Sequence, residues 1–215
     1  VSQGMEQEEA LYKVLKEMII ASKNIRFEGD GYSEEWKEEA LKRGLTNISH
    51  VPEAIMRFND KQSREVLIGE NIFNENELIC RIEVELEKFT KKVQIESRVL
   101  GDLAINHIVP TAVIYQNRLL ENLRGLRETF SQVEYEMLGA DRRELVKEIQ
   151  FRILEIKQLV REMTEARRIS NRLTSQVEKA YSYEEKVRPY MEQIREHIDH
   201  LELEIDDEIW PLPKY

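Results

Sequence analysis

His197, His200 and Glu204 come nearest, by type and spacing, to residues that could do chemistry in this 215-residue chain. At i, i+3 and i+7 of one helix they share a face, and two imidazoles with a carboxylate suit a divalent metal. Both histidines also flank an apolar seam of Ile194, Ile198 and Leu201, among Glu196, Asp199 and Glu202. A charged, solvated helix face explains them more simply, so they are not assigned as metal ligands. His107 and Glu96 occupy seam positions of another helix, where a buried acid/base pair would be perturbed and reactive. Eleven residues apart, they lie roughly 16 Å from each other along a helix and cannot touch. They read as polar residues that set packing register or as exposed stretches.

Two further patterns invite a phosphate. Gly29-Asp30-Gly31 is glycine-rich, but it lacks the Lys and Ser/Thr of a P-loop and does not join a strand to a helix. It reads as a tight turn. Segment 141–172 carries nine Lys/Arg against six Asp/Glu, and 199–208 carries six acidic residues and no Lys or Arg. Pairing between these two segments across a helix interface is the preferred account, with phosphate binding by the arginines as the alternative. No Ser/His/Asp or Cys/His arrangement points to nucleophilic catalysis. No catalytic, cofactor-binding or metal-ligating residue is assigned.

The elements that position these residues are read from periodicity. From Glu75 to about Leu138 apolar residues recur at steps of three and four: Ile79, Ile82, Leu86, Phe89 and Val93, then Leu119, Leu123, Leu126, Phe130, Val133 and Met137. Such a stripe marks a packed or coiled-coil helix. It changes phase at Pro110, where a missing donor and a ring clash bend a helix. Asn74-x-x-Glu77 starts this spine as a capping box, and Gly139-Ala140 ends it. A second long helix then runs from Asp141 to about Ala180, with a break at Tyr181-Ser182. A final helix carries Val187, Met191, Ile194, Ile198, Leu201 and Ile205.

Ahead of the spine, helices are expected over residues 7–24, after Ser33, from Pro52 to Phe58, and after Asp60. The expected class is all-α: a long kinked spine helix in an antiparallel three-helix bundle, with a smaller lobe of short N-terminal helices. Residues 1–74 would pack on the start of the spine (75–99), and residues 100–215 would form the bundle with its Trp210-Pro-Leu-Pro213 tail. That tail can fold back on its own bundle or insert into a neighbouring subunit, which makes Trp210, Leu212 and Tyr215 the candidate assembly contacts.

Composition limits the partners. A net charge of −10 argues against nucleic acid and anionic membrane surfaces, both of which need a basic face. A single cysteine, Cys80, excludes an internal disulfide and fits a reducing, cytoplasmic compartment; beside Ile79 and Ile82 it reads as a buried thiol. No run approaches the ~20 apolar residues of a membrane span.

Three collinear stretches resemble one family. Phe27-Glu-Gly-Asp-Gly-Tyr-Ser-Glu-Glu-Trp36, continuing through Lys42-Arg-Gly-Leu-Thr-Asn47, is similar to a segment that follows the catalytic barrel of type III glutamine synthetases. Asn106-His-Ile-Val-Pro-Thr-Ala-Val-Ile-Tyr-Gln-Asn117 resembles the mid-helix motif of the same region. Val187-Arg-Pro-Tyr190 through Trp210-Pro-Leu-Pro-Lys-Tyr215 resembles that family's C-terminus. The resemblance implies the C-terminal helical region of a large bacterial enzyme of nitrogen metabolism, which joins ammonia to glutamate using ATP and Mg or Mn and assembles as stacked six-membered rings. Its metal and nucleotide sites belong to an upstream barrel, so none is carried over and no cofactor is expected in this chain. The expected partners are that barrel and neighbouring subunits, in a structural and assembly role. A free-standing helical adaptor that binds proteins is the alternative.

Overall fold

In the computed structural model, which describes residues 6–214, the regular structure is helical throughout. It divides into two compact units, 1–49 and 50–215. In the first, α1 (Gln7–Ala21) leads through a 3-10 turn to α2 (Glu34–Lys42). Ser33 caps α2 by accepting from the Trp36 N–H at 3.2 Å, and Glu34 and Glu35 lie in the first turn, where the helix dipole favours them. Gly44, at φ +77°, closes α2: its N–H reaches Leu41 O and the Leu45 N–H reaches Ala40 O, the Schellman pattern that needs a left-handed residue. The Gly29-Asp30-Gly31 stretch is a turn, as expected. The Asp30 carboxylate accepts from the Tyr32 N–H at 2.9 Å, and a Cβ on Gly29 would lie 2.6 Å from the Phe27 ring, which stacks on Trp36 at 4.8 Å.

The second unit opens with α3 (Val51–Met56), whose first turn holds the buried Pro52, and α4 (Lys61–Gly69). The spine follows as α5 (Glu75–Leu103), a π-helical turn (Ala104–Ile108) and α6 (Val109–Thr129), together 55 residues. The Asn74/Glu77 capping box is present with both bonds. The phase change falls at the π turn: Val109 N–H bonds Ala104 O, five residues back instead of four. Pro110 cannot donate to residue 106 in any case, so an extra residue is accommodated there with little loss of bonding. Buried positions therefore continue as Val93, Ser97, Gly101, Ala104, Ile108 and Ala112 without leaving the core side.

Three expectations about boundaries and one about burial are corrected. The spine stops at Thr129, not near Gly139, because Phe130 is extended and Ser131 with Glu134 forms a second capping box that starts α7 (Gln132–Leu138). Val133 and Met137 are consequently exposed and do not extend the seam. The next helix, α8 (Ala140–Asn171), also ends early, because Ser175 caps α9 (Gln176–Lys186). Tyr181 and Ser182 lie inside α9 and form no break; the chain bends instead at Val187, where Pro189 opens α10 (Arg188–Glu204). Cys80 is exposed, because the seam uses Leu78 and Ile82 and turns residues 79 and 80 outward.

The second helix and the last pack against the spine as expected: α8 lies against α6 and α10, while α9 lies against α5. Val93, Ile108, Ile149, Ile156, Met163, Tyr183, Ile194, Leu201 and Trp210 build one core. Leu78, Ile82, Leu86 and Ala180 build another, covered by Ile55, Leu67, Ile68 and Phe73. Each fully buried Leu or Ile contributes about 1.5–3 kcal/mol of transfer free energy. Thr90, Ser97 and Gly101 on α5 are also buried. Their small side chains sit where longer ones would hold the neighbouring helices away.

Candidate functional site

The final helix separates the three residues of the metal hypothesis. His197 is partly buried, and its Nδ1 faces the Arg152 guanidinium at 3.5 Å, with Phe151 edge-on at 6.0 Å. His200 is exposed. A guanidinium is a poor neighbour for a metal ion, and no group of three His, Cys, Asp or Glu side chains clusters for one among the described residues. Burial, reinforced by Arg152, depresses the His197 pKa. The unfolded chain then binds the proton more readily than the folded one, so stability is retained at neutral pH and lost as pH falls below about 6.5. His197→Gln is expected to flatten this dependence: the gap between urea midpoints at about pH 7.5 and about pH 5.5 should shrink relative to the parent. An unchanged gap would assign the titration to other groups.

His107 and Glu96 are both exposed, so neither is a seam residue nor a buried acid/base. The basic residues of α8 pair chiefly within their own helix: Lys147 with Glu144 at 2.7 Å, Arg152 with Glu148 at 2.6 Å and Arg168 with Glu165 at 3.4 Å. The acidic tail pairs elsewhere, Asp206 with Arg118 at 3.3 Å and Asp207 with Lys214 at 2.5 Å. Among the described residues the expected pairing between segments 141–172 and 199–208 does not form: α8 pairs within itself, where a partner one turn away is always within reach, and the tail pairs with Arg118 of α6 and with its own Lys214.

Among the tail residues, Trp210 lies in the core of its own bundle, with Ile209 and Leu212 packed beside it. Its indole N–H is buried without a partner, and Lys214 stands 6.0 Å from the ring centre while donating to Ile205 O. Tyr215 lies outside the described residues.

A further polar arrangement is centred on α9. The Glu184 carboxylate on α9 is 7% exposed; it accepts from Arg188 at 3.0 and 3.2 Å, and its Oε1 lies 3.1 Å from His50 Nδ1. It ties the start of α3 to the α9–α10 bend, beside a cavity of about 420 Å³ lined by Phe89, Val93, Met191, Lys88 and Lys92. The i, i+4 spacing of Glu184 and Arg188 was legible; the partnership with His50, 134 positions away, was not. Chemically, the trio is a charge-assisted clamp with an imidazole at its edge.

Fold and site together define an all-helical domain organised on one interrupted long helix, whose ion pairs fall mostly within single helices. The chain belongs to the glutamine synthetase C-terminal domain family, which it matches over residues 10–127. Along all of its length it is 69% identical to a glutamine synthetase of Bacteroides fragilis, covering 30% of that protein. It is 29% identical to a type-3 glutamine synthetase of Dictyostelium discoideum over 96% of this chain and 28% of that protein. A glutamine synthetase of Butyrivibrio fibrisolvens matches 120 residues at 32% identity, 56% of this chain and 17% of that one. The chain thus spans less than a third of the length of these relatives.

Proposed function

We propose that this chain is the non-catalytic, C-terminal helical part of a type III glutamine synthetase and serves its assembly. In this reading the ATP-dependent joining of ammonia to glutamate, with its Mg or Mn, takes place in an upstream barrel of the same polypeptide, in the cytoplasm. The observation that carries the assembly role is the outer face of α1. Leu11, Val14, Leu15, Met18 and Ile19 recur at helical spacing and every one is exposed, and α1 buries no residue. A contiguous apolar face of this kind marks a contact surface. Leu212 and Tyr215 at the tail are proposed as further subunit contacts, with Trp210 anchoring them from inside. No helix among the described residues is long and apolar enough to cross a membrane.

Two measurements test this. Assayed alone with glutamate, ammonia, ATP and Mg, the chain is expected to show no turnover; turnover would overturn the non-catalytic assignment. In the whole enzyme, Leu15→Glu paired with Ile19→Glu is expected to lower the assembly mass seen by light scattering or to raise protease sensitivity at α1. Unchanged mass and unchanged sensitivity would remove α1 as a contact.

A further inference from the structure

Where α5 passes α8, one arginine from each helix faces a shared cleft of about 580 Å³, together with Ser97, Asp102, Asn106 and Thr164. Arg167, on α8, has its Nη1 buried with no hydrogen-bond acceptor. Burial and a second cation, Arg98 of α5, lower the Arg167 pKa. The nearby acids are committed elsewhere: Glu96 to Lys92 at 3.9 Å, Glu165 to Arg168 at 3.4 Å and Glu162 to Gln158 at 2.9 Å. Asp102 lines the cleft as well, but its Oδ1 accepts from Asn106 at 2.6 Å. The hydroxyls are also spent, Thr164 on Val160 O at 2.8 Å and Ser97 on Gln94 O at 3.1 Å. What remains open toward the cleft is guanidinium N–H, beside one oxygen of the Asp102 carboxylate.

A guanidinium offers five donors in a planar fork and accepts nothing. Two like charges on one cleft repel each other, and an anion held by both would offset that. The helix beside them is irregular too: the π turn of the spine begins at Ala104, between the cleft residues Asp102 and Asn106. Such turns inside long helices recur at functional sites. Independently of the role proposed above, we infer that Arg98 and Arg167 bind a phosphate group at this cleft. A phosphate group presents enough acceptor oxygens to engage two planar forks at once, which a monocarboxylate with its two oxygens does not.

The test is arginine-selective modification of the whole protein with phenylglyoxal, mapped residue by residue by mass spectrometry. Inorganic phosphate is expected to slow modification of Arg98 and Arg167 severalfold and saturably, while the exposed Arg142 and Arg168 keep their rates. Chloride at equal ionic strength should not protect. A parallel arm with glycerol phosphate separates the sources: protection by both identifies a site for free phosphate, and protection by the ester alone identifies one for a phosphorylated metabolite. Arg167→Gln should abolish protection of Arg98, which is exposed and stays reactive. Equal rates with and without either phosphate, or uniform slowing at Arg142, would overturn the site. So would protection of Arg98 that persists in Arg167→Gln. Because the readout is local to each arginine, phosphate bound elsewhere in the protein does not confuse it.

Discussion

Trp210→Ala is expected to lower the stability of the 50–214 unit by about 3–5 kcal/mol, the range for deleting a buried Trp from a packed core. The residue is 8% exposed and closes one end of the core that contains Ile205 and Leu201. Truncation leaves a void at the point where the chain after α10 turns back. Trp210→Phe should cost much less. It keeps most of the ring and removes an indole N–H that has no acceptor, so the desolvation penalty of that group disappears with it. Urea denaturation of both variants checks the pair. If Ala and Phe cost the same, the hydrogen-bonding capacity of the indole matters more than its volume, and an acceptor for it must exist. If neither costs anything, the tail is not part of the core.

Ile156→Asp is expected to unfold the same unit outright. Ile156 is fully buried at the middle of α8, in the core that joins the spine to α10. A carboxylate there loses its hydration among Ile149, Ile153 and Met163, and its burial cost, with the lost packing added, is comparable to the roughly 5–15 kcal/mol that holds a typical domain together. Far-ultraviolet circular dichroism should show loss of helix, or a cooperative melt displaced below room temperature. A melt within a few degrees of the parent would mean that α8 can slide or rotate to expose this face. Leu154→Asp, on the opposite and exposed side of α8, is the control and should change little.

The all-α class, the capping box at Asn74 and the packing of α8 on the later half of the spine were legible in the sequence. The reason is that each depends on local spacing: 3.6-residue periodicity and a Ser/Asn-x-x-Glu signature operate within one or two turns. Ser131-x-x-Glu134 obeys the same rule and was legible in principle, but the apolar residues Phe130, Val133 and Met137 continued the seam pattern and concealed it. The burial of Thr90, Ser97 and Gly101 was not legible, because a seam read by hydropathy skips positions chosen for size. Nor was the His50–Glu184–Arg188 clamp, which joins residues from distant parts of the chain. The unpaired Arg167 was hidden for a different reason. Glu162 and Glu165 stand within one or two turns of Arg167 in the sequence, and only the rotamers show that they are already engaged by Gln158 and Arg168.

The π turn at Ala104–Ile108 takes up one surplus residue, so the two ends of the spine keep a common phase although the spacing of their apolar residues changes. Each residue of an α-helix advances the side-chain direction by about 100°, so regular i→i+4 bonding forced through the turn with no residue removed would rotate everything after it by that angle. Val109, Ala112 and Leu123 would swing away from α8 while Leu78, Ile82 and Leu86 stayed seated. Drift in length along this helix is therefore confined: the surplus residue is the gear tooth that lets one continuous shaft drive two differently cut faces, and neither face can be recut without it.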